Sequence, residues 1–199
     1  MRAARLSAAI ACLLAVAIDH AQAQTFGVKG GAARSTIAFA GEPPPADTRA
    51  RTSALAGGFF GIPIAGRLTV QAEVLFVERR IDFADAPESS ASITDTLRYL
   101  ELPLIGRYRA FGTGLQLFVE GGLGFSRLLT ARERVERTSA DITSAVESSE
   151  LSAIAGAAVE WRRLVGGARY LYGLSDVYRG ESFPGTQRTL QLSVGYRFR

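Results

Sequence analysis

The sequence predicts an all-β fold, an eight-stranded antiparallel up-and-down transmembrane β-barrel with long extracellular loops and short periplasmic turns. Three observations lead there: an alternating central hairpin, a regular rhythm of long and short connections, and a cleavable-looking leader. In the hairpin, residues 97–109 place Leu100, Leu102, Leu104 and Tyr108 on one parity against Tyr99, Glu101, Arg107 and Arg109. After a short turn at 110–114, residues 115–129 place Leu115, Leu117, Val119, Leu123 and Phe125 opposite Gln116, Glu120 and Ser126. A period of 2 marks a strand. Carboxylates and guanidinium groups in mid-strand stand where a water-soluble sandwich needs its core, so the pattern points to lipid outside and polar groups inside.

The leader comes first in the chain. Arg2 and Arg5 supply a positive start, Leu6 to Ile18 an apolar run of 13 residues, and Ala21-Gln22-Ala23 a small-residue cleavage pattern. A membrane anchor needs about 20 apolar residues, and this run breaks at Asp19-His20. Residues 1–23 therefore read as a signal peptide and 24–199 as the barrel. Cleavage removes Cys12 and His20, the only cysteine and the only histidine. It lowers the basic count from 23 to 21 and the acidic count from 19 to 18, leaving about +3. The basic residues, all Arg but Lys29, are spread along the chain, so nucleic acid is not an expected partner.

The strands follow in order. Residues 25–38 form the first, with Phe26 and Val28 opposite Gly27 and Lys29; a loop at 39–52 carries Pro43-Pro44-Pro45, which cannot join a ladder. Residues 53–64 and 67–83 make the next pair around a tight turn at Ala65-Gly66, and in the second of these Leu68, Val70, Ala72, Val74 and Phe76 face away from Thr69, Gln71 and Glu73. A polar loop at 84–95 leads into the central hairpin. Residues 130–149 are charge-dense, with strand character persisting at first, a loop apex expected near 138–145 and spacing that also allows a short helix. The sixth strand, 150–161, and the seventh, 164–174, meet at Arg162-Arg163; the eighth, 187–198, follows a loop at 175–186. Long and short connections alternate throughout, the arrangement of bacterial outer-membrane barrels, whose mobile loops lie on one side and tight turns on the other. The strands exceed the about 9 to 11 residues needed to cross, so several are expected to project beyond the bilayer.

Six blocks carry a family resemblance over nearly the whole of 24–199. Val28-Lys29-Gly30-Gly31, Gln71-Ala72-Glu73-Val74-Leu75-Phe76, Tyr99-Leu100-Glu101-Leu102-Pro103-Leu104, Val119-Glu120-Gly121-Gly122, Ala168-Arg169-Tyr170-Leu171-Tyr172-Gly173-Leu174 and Leu192-Ser193-Val194-Gly195-Tyr196-Arg197-Phe198, in this order, resemble the successive strands of the PorT-like outer-membrane β-barrel family. The resemblance implies an eight-stranded barrel in the outer membrane of a Gram-negative bacterium and says little of biochemical role. One departure is the ending Phe198-Arg199, where such strands usually finish on the aromatic itself.

The polar parity supplies the candidate site. Lys29, Glu73, Glu101, Glu120, Arg169 and Arg197 are read as a structural ion network in the lumen, with Arg107 a further candidate, because eight strands leave an interior just wide enough for side chains. Glu73, Glu101 and Glu120 are expected to share Arg169. Gln71 and Gln116, on that parity, are expected to tolerate Arg better than Val74 and Val119 do. Without a histidine or cysteine after the leader, triad chemistry and the usual zinc ligand sets have no residues to use. Gly121-Gly122-Leu123-Gly124 lacks the helix and Lys-Ser/Thr pair of a phosphate loop. No catalytic residue, cofactor or metal is expected. The partners expected are the outer-membrane bilayer and the barrel-assembly machinery during insertion, for a monomer with an unidentified surface ligand. The function expected is a non-enzymatic structural or surface-interaction role through the loops; the alternative is a narrow, porin-like channel or a component of an export machinery.

Overall fold

In the computed structural model, residues 24–39, 48–83, 93–135, 138–143, 146–176 and 185–198 are described. The leader and the loop centres at Pro43–Pro45, 84–92 and 177–184 lie outside them. In chain order the strands are β1 (Thr25–Phe39), β2 (Thr48–Ala65), β3 (Leu68–Phe83), β4 (Ile93–Phe111), β5 (Leu115–Val135), β6 (Thr138–Asp141), β7 (Ser149–Trp161), β8 (Leu164–Asp176) and β9 (Gly185–Arg197). Eight of them pair antiparallel with their neighbours in sequence, β5 passing to β7, and β1 pairs with β9 to close the ring. The ninth, β6, is a four-residue arm folded back on β5. Strand character persists into segment 130–149 as expected, β5 continuing to Val135, but where the loop apex was expected the chain returns as the short strand β6.

The three tight turns and the two ends of the barrel share one rim, since Thr25 lies beside Gly61 and Arg197 beside Gly27. Each turn needs a left-handed backbone, at Gly66 (φ 49°), Gly112 (φ 99°) and Arg162 (φ 56°). At Gly112 a Cβ would also fall 1.7 Å from the Leu115 carbonyl oxygen, so only glycine closes the β4–β5 turn. Long strands rise to the other rim; β4 has 19 residues and β5 has 21, well beyond a bilayer crossing of about 9 to 11.

Alternation sorts the side chains. Val74, Leu104, Val119 and Leu192 are more than half exposed on the outer wall, while Glu73, Glu101 and Glu120 are buried in the lumen. Two irregularities modify the pattern. Arg98 pairs with Thr130 but Tyr99 with Leu128, so Leu129 is an extra residue that bulges outward; inward parity on β5 changes from even (Leu128) to odd (Ala131). On β4, Pro103 is buried in mid-strand and has no N–H to give, and the β3–β4 ladder lapses opposite it between Ala72↔Leu104 and Leu75↔Glu101.

The outer wall is apolar through the bilayer, so Val119→Arg is expected to cost about 2 to 4 kcal/mol of stability. Gln116→Arg, in the cavity that opens at the turn rim, is expected to cost about 1 kcal/mol or less, because a charge near the barrel end is screened. Urea titration of the refolded protein in micelles measures both.

Candidate functional site

The lumen is layered along the barrel axis. Reading β3 from the turn rim outward, the inward residues are Gln71, Glu73, Leu75, Val77 and Arg79; on β4, from the same rim, they are Arg107, Ile105, Pro103, Glu101 and Tyr99. Both strands go from charged to apolar and back to charged. The apolar middle is built of Ala33, Leu55, Leu75 and Val77 on one side and Ile105, Ile154 and Leu171 on the other. A period of 2 puts this septum between two ionic layers without any break in secondary structure.

The inner layer, nearer the turns, is a chain of ion pairs. Lys29 Nζ lies 2.5 Å from Glu73 Oε2, which also accepts from Arg169 Nη1 at 2.8 Å. Arg169 Nε donates to Glu120 Oε2 at 2.5 Å, Arg107 Nε to Glu120 Oε1 at 2.8 Å, and Arg107 Nη1 to Glu160 Oε1 at 2.7 Å. Arg197 closes the series on Glu160 Oε2 at 2.7 Å. Gln71 stitches the layer by donating to Glu73 and accepting from Arg107 at 3.1 Å, and the Arg107 guanidinium lies 4.4 Å from the centre of the Phe118 ring. Seven strands supply these groups, and every carboxylate meets two cations. Buried charges are tolerated only when paired in this way.

The outer layer is smaller and centred on Arg79, 1% exposed. Its guanidinium donates to Glu150 at 2.7 Å, to Gln187, to Glu101 at 3.5 Å and to Ser126 at 3.5 Å, and stacks 4.5 Å from the centre of the Tyr99 ring. Gln191 holds Glu101 from the far side at 3.2 Å. Formally the inner layer sets Lys29, Arg107, Arg169 and Arg197 against Glu73, Glu120 and Glu160, while the outer sets Arg79 against Glu101 and Glu150. One is in excess by a positive charge and the other by a negative, and the sum is neutral.

Five of the six residues singled out from sequence, Lys29, Glu73, Glu120, Arg169 and Arg197, come together in the inner layer. Glu101 does not join them: it lies beyond the septum on Arg79, because on β4 it is six residues from Arg107, about 20 Å along a strand. Gln71 is not a mild site for Arg either, since the new cation would face Arg107. Arg79, Glu150 and Glu160 complete the two layers beyond the residues singled out above. Parity signals all three: Arg79 shares the phase of Gln71 and Glu73, and Glu150 and Glu160 oppose the lipid-facing Leu151, Val159 and Trp161.

Little space remains for chemistry. The void among Lys29, Gln71, Arg107, Glu120 and Arg169 is about 10 Å³, roughly the minimum for one water. Above the outer layer, Val146 is wholly buried against Ile37, Leu97, Tyr99, Leu128 and Ala131, with Ile142 beside it. Ile142, Thr143 and Val146 to Ser148 thus cap the outer mouth, pinned by Thr143 Oγ1 accepting from Ala131 N–H at 3.0 Å and by Leu128 N–H donating to the Ser148 carbonyl at 3.0 Å. Among the described residues no cluster of His, Cys, Asp and Glu forms a metal site.

The model of the outer membrane protein β-barrel domain family matches residues 21–179. Among solved structures, Ail, the attachment invasion locus protein of Yersinia pestis, aligns with a TM-score of 0.50 at 16% identity, over 87% of this chain and 98% of that one. Neisserial surface protein A aligns with a TM-score of 0.52 at 16% identity, over 87% of this chain and 97% of that one. At these identities the likeness is one of fold. No curated protein matches the chain significantly.

The layers differ in redundancy, and stability should show it. Arg169→Ala leaves Glu73 with Lys29 and Glu120 with Arg107, whereas Arg79→Ala leaves Glu101 and Glu150 facing each other with no cation. Removing one partner of a buried pair costs about 3 to 5 kcal/mol; Arg79→Ala is expected at or above the top of that range and Arg169→Ala at or below the bottom. Replacing Glu120 and Arg169 together by Leu and Met is expected to recover part of the single-variant loss. Unfolding temperatures in detergent measure all three.

Proposed function

We propose, for a chain that belongs to the outer membrane protein β-barrel domain family and lies in the bacterial outer membrane, a non-enzymatic role exercised on the outer side of the barrel: envelope support and surface interaction through the long strand extensions and loops. The observation that carries this reading is the closed lumen. Cap, outer ionic layer, septum and inner ionic layer lie one above another, so among the described residues neither a solute path nor a substrate cavity runs through the barrel. What remains available is the rim beyond the bilayer, where loops on a rigid scaffold carry recognition. The names of Ail, an attachment invasion locus protein, and of Neisserial surface protein A agree with such a role without assigning a ligand. The same reading includes a cleaved leader over residues 1–23, insertion by the barrel-assembly machinery as a monomer, and the narrower PorT-like kinship of the six strand blocks, with the lumen ion network holding the barrel together.

Purified protein in planar bilayers is expected to show no steady open state. Loss of the cap through Val146→Asp is expected to leave it closed, because the septum lies beneath. A stable conductance in the unmodified protein would replace this reading with a narrow channel.

A further inference from the structure

The outer wall changes character abruptly where it leaves the bilayer. Down the outward face of β3 the order is Val74, Phe76, Glu78, Arg80; on β4 it is Leu104, Leu102, Leu100, Arg98, Thr96, Thr94. Pairing across the strands lines these residues up in rows. Phe76 lies beside Leu100, the last apolar pair; the next row is Glu78, Arg98 and Thr130, and the one beyond it Arg80, Thr96 and Arg132. Together with Arg51 from β2 they line a groove of about 300 Å³ on the side of the barrel. That is the lower end of small-molecule sites.

Four guanidinium groups meet there around one carboxylate. Glu78 Oε1 binds Arg80 Nη2 at 2.6 Å and Glu78 Oε2 binds Arg98 Nε at 3.2 Å. Glu78 therefore holds two of the arginines in place, while Asp141 on β6 lies opposite Arg132, so cations outnumber carboxylates along the groove. Both arginine side chains stay nearly half exposed, at 45% and 47%. Arginine on the lipid-facing parity is costly at the bilayer midplane and nearly neutral at the interface. The rows therefore mark the level of the outer headgroups. Directly opposed residues in adjacent strands sit about 5 Å apart at Cβ, which lets Arg and Thr act together on one tetrahedral oxyanion. Guanidinium forks match phosphate bidentately, and threonine hydroxyls donate to its remaining oxygens.

We infer that the groove lined by Arg51, Arg80, Arg98, Arg132 and Thr96 binds the phosphate of an outer-leaflet glycolipid, held from the side of the barrel. The groove opens on the wall that faces neighbouring lipid rather than into the lumen mouth, which favours a membrane-borne phosphate over one arriving from solution. The site lies on the wall of the strand extensions, at the level where they leave the bilayer, rather than on the loops themselves.

Full-length protein in micelles, titrated with diphosphorylated lipid A, dephosphorylated lipid A and inorganic phosphate, tests this by native mass spectrometry. The phosphorylated lipid is expected to bind at least tenfold more tightly than the dephosphorylated one. Arg80→Gln with Arg98→Gln is expected to abolish that preference, while Glu78→Gln, which keeps every cation, should bind at least as well as the unmodified protein. Arg67→Gln with Arg109→Gln at the opposite rim should leave binding unchanged. Gel mobility with and without boiling reports folding; if the double variant does not fold, Arg98→Gln alone is expected to weaken binding severalfold. Equal affinity for the two lipids, or a folded double or single variant that binds as the unmodified protein does, overturns the inference. So does inorganic phosphate that fills the site as tightly as the phosphorylated lipid.

Discussion

The pairing of β1 with β9 is the constraint on which everything else rests. In hydrocarbon every unpaired backbone group costs several kcal/mol, so a sheet can cross a membrane only if it has no edge. The seam runs without a register shift from Gly27↔Arg197 to Phe39↔Gly185. Its inner half is lined by small residues, Gly27, Gly31 and Gly195, and at Gly31 a Cβ would lie 2.0 Å from the Leu192 carbonyl oxygen. The first and last strands approach that closely because nothing projects between them. Closure at eight strands then sets the width of the lumen, and the width dictates the rest.

A lumen of that width has no room for bulk water, so each charge pointing inward must find its partner across it. The arginines do this well because one planar head serves several acceptors: Arg79 reaches β5, β7, β4 and β9, and Arg169 ties β8 to β3 and β5. Lysine appears once, at Lys29, where a single carboxylate is the partner. The septum separates the two layers, and each is a compact knot rather than part of a continuous polar column.

Much of this was legible in the residues. Strict alternation on β3, β4 and β9 announced strands, their polar phase announced the lumen, and the rhythm of connections announced the meander. What escaped were features set by geometry between strands. The outward bulge at Leu129 shifts the phase of β5, and no local residue type announces it. Arg79 sits in the run Glu78-Arg79-Arg80 near the end of β3, where three consecutive charges do not by themselves say which one points into the lumen. Val146 lies in a polar segment, and its burial comes from the fold-back of β6 over Leu128 and Tyr99. Glu101 and Glu120 look equivalent along the chain, but they lie in different layers, a distinction that only the stagger of neighbouring strands creates.

Pro103 gives the wall a mechanical weak point. A ladder with all its rungs parts only from its ends, whereas the β3–β4 ladder, which lapses opposite Pro103, has an interior point at which to begin. The residue of β3 facing that gap is Glu73, whose side chain reaches inward to Lys29 on β1 and Arg169 on β8. At this height β3 is fastened to the far side of the barrel in place of its neighbour, and the stress of any breathing of the wall passes transversely through a pair of ionic struts rather than along the strand.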